Sequence, residues 1–221
     1  MLANNNEAII NKLAKNSVKT NKKQYAILFF TIILSAFMLF CVFTIGMTYL
    51  NSSRLQNTRL NGAEYDIVTM NGFTSEQLNT LQQNENIRSV GIESYAGFIQ
   101  STEYDKTVEI GLLWCDEVFW DNLMSPARTK LDGHYPQNKN ELMVTKDILK
   151  TCGNENLSVG DSLILTYENN TGVYTDEFVI SGIWDGYGDT SAGFVSKAFY
   201  DETGYDLKNN GILCIKLNCN Y

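Results

Sequence analysis

Histidine and proline are nearly missing from this 221-residue chain, which holds one His and two Pro. With a single histidine, any Ser-His or Cys-His nucleophile pair would have to pass through His134. That residue stands in the turn Gly133-His134-Tyr135-Pro136, where a solvated loop imidazole is the expected state. No G-x-x-x-x-G-K-[ST] loop occurs, which excludes nucleotide hydrolysis by that route. The five cysteines do not supply the two close pairs of a zinc site. Asp185-Gly186-Tyr187-Gly188-Asp189 lacks the loop length and terminal glutamate of an EF-hand, and reads as a turn. Three Asn-x-[Ser/Thr] triplets, at Asn51, Asn156 and Asn169, are frequent by chance in an Asn-rich chain. Positive charge is scarce, with 17 basic against 25 acidic residues and a net −8, so no nucleic-acid partner is expected. The chain is read as a non-enzyme, with no catalytic residue, no metal site and no cofactor.

What is present starts with the stretch NKKQYAILFFTIILSAFMLFCVFTIGMTYLN. Between Lys23 and Arg54 there is no charged residue. From Tyr25 to Leu50, at about 1.5 Å per residue, it is long enough to cross a hydrocarbon core of roughly 30 Å. A soluble core helix would show a polar stripe. Here only Thr31, Ser35, Thr44 and Thr48 interrupt the run, and each can bond back to its own helix. A signal peptide has a shorter apolar region and a small-x-small cleavage site, which Thr48-Tyr49-Leu50-Asn51 is not. The stretch therefore reads as an uncleaved transmembrane helix at 25–50.

Its flanks set the orientation. Lys12, Lys15, Lys19, Lys22 and Lys23 against Glu7 give net +4, which leaves −12 beyond Lys23. Lysines next to a span hold their end in the cytoplasm. Residues 1–24 are then a cytoplasmic basic segment and 51–221 lie outside, in the lipid bilayer's single-pass topology. Ile9, Ile10, Leu13 and Val18 at helical spacing predict an amphipathic helix on the inner leaflet, with a disordered basic tail as the alternative.

Hydrophobic content of 44% and aromatic content of 12% argue that the outer part has a packed core. Its fold class is expected to be α+β. Strands are predicted at Tyr65–Met70, Ile87–Ser101 and Lys106–Trp114, the last two joined by a turn at Glu103–Asp105. A helix from Ser75 to about Asn84 starts with Thr74 as N-cap, Gln77 completing a capping box and Phe73 with Leu78 as a staple. A short helix is expected over Asp116–Leu123. Beyond the prolines come a strand at Glu141–Thr145, a helix capped by Thr145 and a hairpin of Ser162–Glu168 with Val173–Ile183. Phe194–Val195 then leads into a helix capped by Ser196, and Gly211–Leu217 is a final strand. Two subdomains are expected, a βαβ part and a strand-rich part. Cys115, Cys152, Cys214 and Cys219 would lie outside the membrane, free or disulfide-bonded in any of three pairings.

Three stretches carry a resemblance: LDGHYPQNKNELMVT at 131–145, LSVGDSLILTY at 157–167 and DEFVISGIW at 176–184. Their order resembles the G-x-Y-P…N-E…G-D…F-x-[IVL]-x-G pattern of the MacB-like periplasmic core domain, found in FtsX-like permeases of ABC transporters. KLAKNSVKTNKKQYAILFF resembles the entry helix and first transmembrane helix of those permeases, and the likeness extends over residues 8–217. The resemblance implies a non-catalytic permease subunit working with a separate cytoplasmic ABC ATPase, as a homodimer or paired permease. It also implies transmembrane helices that this sequence does not include, so a fragment, a truncated gene product or one part of a split permease is expected. Read from the residues alone, the pattern is structural, with Gly133 and Pro136 fixing a turn, Gly160-Asp161 opening a hairpin and Gly182 bending the strand as it leaves the sheet. The alternative is a single-span, membrane-anchored binding or sensor module. Scarce proline with abundant Asn, Lys and Tyr suits an AT-rich bacterial genome.

Overall fold

The computed structural model describes residues 7–100, 110–187 and 192–218. It divides into two compact units, residues 1–54 and 55–221. The first contains helix α1 (Glu7–Thr20) and most of α2 (Lys22–Leu60). At 39 residues, α2 is longer than the apolar run, because the polar segment Asn51–Leu60 keeps helical geometry. No residue of α2 is buried. Thr31, Ser35 and Thr44 donate to the carbonyls of Ile27, Thr31 and Phe40 at 2.8 Å each, so their hydroxyls are satisfied within the helix. Ile9, Ile10, Leu13 and Val18 are all exposed along α1.

Among the described residues, the second unit is built on one nine-stranded mixed sheet. Its strands are β1 (Ile67–Thr69), β2 (Ile87–Ile99), β3 (Ile110–Cys115), β4 (Arg128–Gly133), β5 (Glu141–Thr145), β6 (Ser162–Asn169), β7 (Gly172–Gly186), β8 (Gly193–Val195) and β9 (Gly211–Leu217). They are ordered β1-β9-β2-β3-β8-β5-β7-β4, and β6 pairs with both β2 and β7. The two expected parts thus share a sheet, joined where β8 runs parallel to β3 and antiparallel to β5. The helices are α3 (Ser75–Gln82), α4 (Lys146–Thr151), α5 (Lys197–Tyr200) and α6 (Leu207–Asn210).

Local chemistry accounts for most element starts. Thr74 Oγ1 accepts from Gln77 N at 3.3 Å while Gln77 Oε1 accepts from Thr74 N at 2.8 Å, the reciprocal box predicted for α3. Thr145 and Ser196 cap α4 and α5 by accepting from Ile148 N and Phe199 N. Three elements depart from expectation. Residues 118–123 form a π-helical turn, β4 pairs along β7 despite its polar sequence, and α6 is capped by Asp206. The expected turn at Glu103–Asp105 lies outside the described residues.

The period of two along each strand sorts side chains onto two unequal faces. Val90, Ile92, Leu112, Trp114, Leu142, Val144, Leu213 and Ile215 face a large core with α4, α5, Phe178 and Tyr167. Their neighbours Cys115, Met143, Phe194 and Cys214 face a smaller core, covered by Phe119, Trp120, Leu123 and Met124. Gly91 decides how closely that cover seats. A Cβ there would lie 2.7 Å from Leu123 Cδ1 and 2.9 Å from Phe119 Cα, so only glycine lets the π-helical turn press onto β2.

Candidate functional site

The turn containing the lone histidine ties several strands together. Gly133 holds φ +86°, and a Cβ would come within 2.2 Å of Ser181 O, so the crossing of β4 and β7 requires glycine. His134 N donates to Ser181 O at 2.9 Å, and its exposed ring bonds through Nδ1 to Tyr135 O at 2.9 Å. Tyr135 points inward. Its hydroxyl accepts from Cys115 N at 3.0 Å and lies 3.2 and 3.3 Å from the carbonyls of Cys115 and Val195. Burial pushes the Tyr135 phenol and the Cys115 thiol well above their ordinary ranges, which leaves both neutral. A thiol in that state is a poor nucleophile.

Glu141 closes the turn by accepting from Gln137 N at 2.7 Å and from Asn138 N and Nδ2 at 3.1 and 2.8 Å. Burial opposes its charge, but these hydrogen bonds outweigh it and hold the carboxyl below the usual range. Gly160, at φ +96°, donates its N–H to Ile180 O at 2.8 Å, and Asp161 Oδ2 accepts from Ser158 N, which sets the entry to β6. Gly182 corrects its expected role. It is buried inside β7, paired with Gly133 and Met143, and a Cβ would meet His134 O at 2.9 Å. It makes room for the histidine turn and does not bend a strand out of the sheet. The pattern Gly133…Glu141…Gly160-Asp161…Gly182 is therefore a set of backbone constraints. Nothing in it is aimed at a ligand.

Two cavities flank this frame. One, of about 570 Å³, lies beside Trp114, Asp116, Trp120, Asp121 and Lys197. Its groups are engaged: Asp116 Oδ1 accepts from Ile92 N and Phe119 N at 3.0 and 2.8 Å, and Lys197 pairs with Asp201 while lying 5.1 Å from the Trp114 ring. The other, of about 440 Å³, opens on the thinly covered face of the sheet, against Glu93, Phe119, Trp184, Phe194 and Cys214. Burial raises the Glu93 carboxyl to about 7 and the Cys214 thiol to about 12. The sequence reading missed Glu93. Its signal is one acid at an inward position of a strand that otherwise buries Val90, Ile92, Ala96 and Ile99.

Among the described residues no cluster of His, Cys, Asp or Glu could hold a metal ion. Cys115 and Cys214 are buried free thiols, and Cys219 lies outside the described residues. Asp185 Oδ1 accepts from its neighbour Gly186 N, the Arg59 guanidinium stacks 3.7 Å over the Tyr187 ring, and the rest of that expected turn is outside the described residues.

No family model matches the sequence. No curated protein matches it either. Solved structures do resemble it, among them an extracellular and a periplasmic region of transporters and a domain of a permease protein from Porphyromonas gingivalis. One is the extracellular domain of the noncanonic ABC-type transporter YknZ from Gram-positive bacteria, at 12% identity and TM-score 0.44, covering 67% of this chain and 75% of that one. Another is the periplasmic region of MacB from Actinobacillus actinomycetemcomitans, at 14% identity and TM-score 0.43, covering 70% and 75%.

Proposed function

We propose that this chain is a non-catalytic permease subunit, or the N-terminal portion of one, of an ABC transporter. In this reading a separate cytoplasmic ATPase drives it, and it passes motion to an extracytoplasmic domain within a homodimer or a paired permease. The observation that carries the reading is α2. It is one uninterrupted helix of 39 residues, about 58 Å long, and so exceeds a roughly 30 Å hydrocarbon core. Its apolar residues are bare, with Phe37, Phe40, Phe43 and Ile45 each more than 60% exposed, a surface that suits lipid and not water. Lysines precede it, which supports a cytoplasmic N-terminus with residues 51–221 outside. A helix that stays helical beyond the bilayer can carry displacement to the sheet domain as a stiff element.

Two further features support this reading. The permease-like sequence pattern falls on residues that fix the backbone of the outer domain, and none of them is spent on chemistry. The buried thiols are neutral, and His134 is exposed on a turn with its ring on a carbonyl. The test is retrieval of the ATPase encoded beside this gene when the tagged full-length gene product is purified from membranes. Co-purification that is lost on deleting residues 7–20, and retained on mutating the sheet domain, is the expected result. A full-length product that retrieves no ATPase overturns the reading. A membrane-anchored binding module is then the better account, and the Glu93 cavity is the observation in its favour.

A further inference from the structure

The thinly covered face of the sheet holds an acid that the fold does not use. Glu93 sits on β2, opposite Cys115 of β3 and Ile212 of β9. It faces a cavity of about 440 Å³, a size typical of small-molecule sites. Its walls include the apolar and aromatic side chains of Phe119, Met124, Trp184, Phe194 and Ile212. Glu93 is half-buried, and a carboxylate partly removed from water without a partner carries a desolvation cost.

No described group offsets that cost. The titratable groups facing Glu93 are Tyr65 from the segment before β1, Cys214 from β9, Cys115 from β3 and Tyr135 from the turn beyond β4. All four are shifted upward, with burial as the leading cause, and are neutral at pH 7. Among the described residues no cation pairs with Glu93. Arg59 stacks on Tyr187, Arg128 lies 4.0 Å over the Trp120 ring, and Lys216 pairs with Glu64 and Asp66 at 3.1 and 3.4 Å.

We propose that this cavity is a binding site for a small hydrophobic amine, whose ammonium pairs with the Glu93 carboxylate while its ring or chain lies against Phe119, Trp184 and Phe194. A lone half-buried carboxylate beside aromatic side chains in an open cavity selects for that chemistry. An anion would be repelled, a metal ion would lack further ligands, and a sugar would find too few polar partners. Aromatic faces add attraction for an organic cation. The site belongs to residues 55–221 and is independent of whether an ATPase drives the chain.

The charge state gives the site a pH dependence. With its carboxyl raised to about 7 by burial, Glu93 is mostly neutral below that pH and offers an amine no ion pair. Ligand affinity should therefore fall as pH falls through 7, because a lysine-like ammonium remains charged throughout.

The experiment is titration calorimetry of the full chain in lipid nanodiscs, corrected with empty discs, using tryptamine, its neutral analogue tryptophol and n-butylamine. At pH 8 tryptamine should bind roughly tenfold or more tightly than either of the others, the scale of a desolvated charge pair added to an apolar contact. Lowering the pH to 6 should weaken tryptamine and leave tryptophol unchanged. Glu93→Gln should remove the preference for tryptamine while keeping the tryptophol affinity, and that retained affinity shows the variant is folded. Three results overturn the proposal: tryptamine binding no better than tryptophol, n-butylamine matching tryptamine, or wild-type selectivity that does not respond to pH. The pH arm needs no variant, so it decides the matter even if Glu93→Gln unfolds. Failure here leaves the permease reading untouched, since that reading is tested by ATPase retrieval.

Discussion

At the scale of single residues, the domain's sensitive points are a glycine and two acids. Gly91→Ala should drive a methyl into Leu123 and Phe119, which costs about 1–3 kcal/mol as overpacking. For a domain of this size that lowers the melting temperature by roughly 2–4 °C per kcal/mol, readable by calorimetry. The acids act in opposite senses. Glu141 is held below its ordinary range, so its stabilising hydrogen bonds are present above the unfolded-state value and lost as acid protonates it. Glu93 is raised to about 7, so stability tied to its neutral form is complete at low pH and declines as pH rises through 7. Glu93→Gln, which stays neutral, should therefore match wild type near pH 4 and exceed it by on the order of 2 kcal/mol at pH 8, with denaturant midpoints as the measure. An equal difference at both pH values would show that the carboxyl is not desolvated.

At the scale of elements, sequence patterns were reliable where a local cause was complete. The α3 box needed only Thr74 and Gln77, and the hairpin β6–β7 needed only alternation and the turn Asn169–Gly172. They failed where a distant partner decided. β4 is exposed along nearly its whole length and becomes a strand because β7 extends far enough to pair with it. The turn at 118–123 becomes π-helical because it is fitted against Gly91 and fixed by Asp116, whose Oδ1 takes the N–H of Phe119. For α2 the orientation is testable directly. In a cysteine-free background, Asn11→Cys should be shielded from an impermeant thiol reagent in whole cells and Lys208→Cys should react. The reverse pattern would move the sheet domain into the cytoplasm and end the permease reading.

At the scale of the whole molecule, the division at residue 54 predicts that the sheet domain does not need the membrane to fold. Its two buried clusters are made by residues from 63 to 215, without any side chain from the apolar run. Residues 55–221 expressed alone should be soluble and should unfold in one cooperative transition, followed by circular dichroism. Aggregation on removing α1 and the apolar part of α2 would mean that the core extends into the membrane unit. The same product should hydrolyse no ATP, since the sequence has no phosphate-cradling loop.

The sequence by itself determined the membrane-crossing candidate, the α+β class and the caps, because each depends on residues a few positions apart. It also marked the glycine and turn pattern that the permease resemblance rests on. Tertiary structure decided what that pattern does. Gly133 and Gly182 are far apart in sequence and meet only when β4 lies along β7, so their role could not be read from either neighbourhood. Glu93 is the same case in another form. A single acid in a strand looks like an outward-facing residue until pairing with β3 and β9 fixes which face is enclosed. Burial then comes from side chains up to 121 positions away, such as Cys214, and that enclosure turns an ordinary carboxylate into a candidate site.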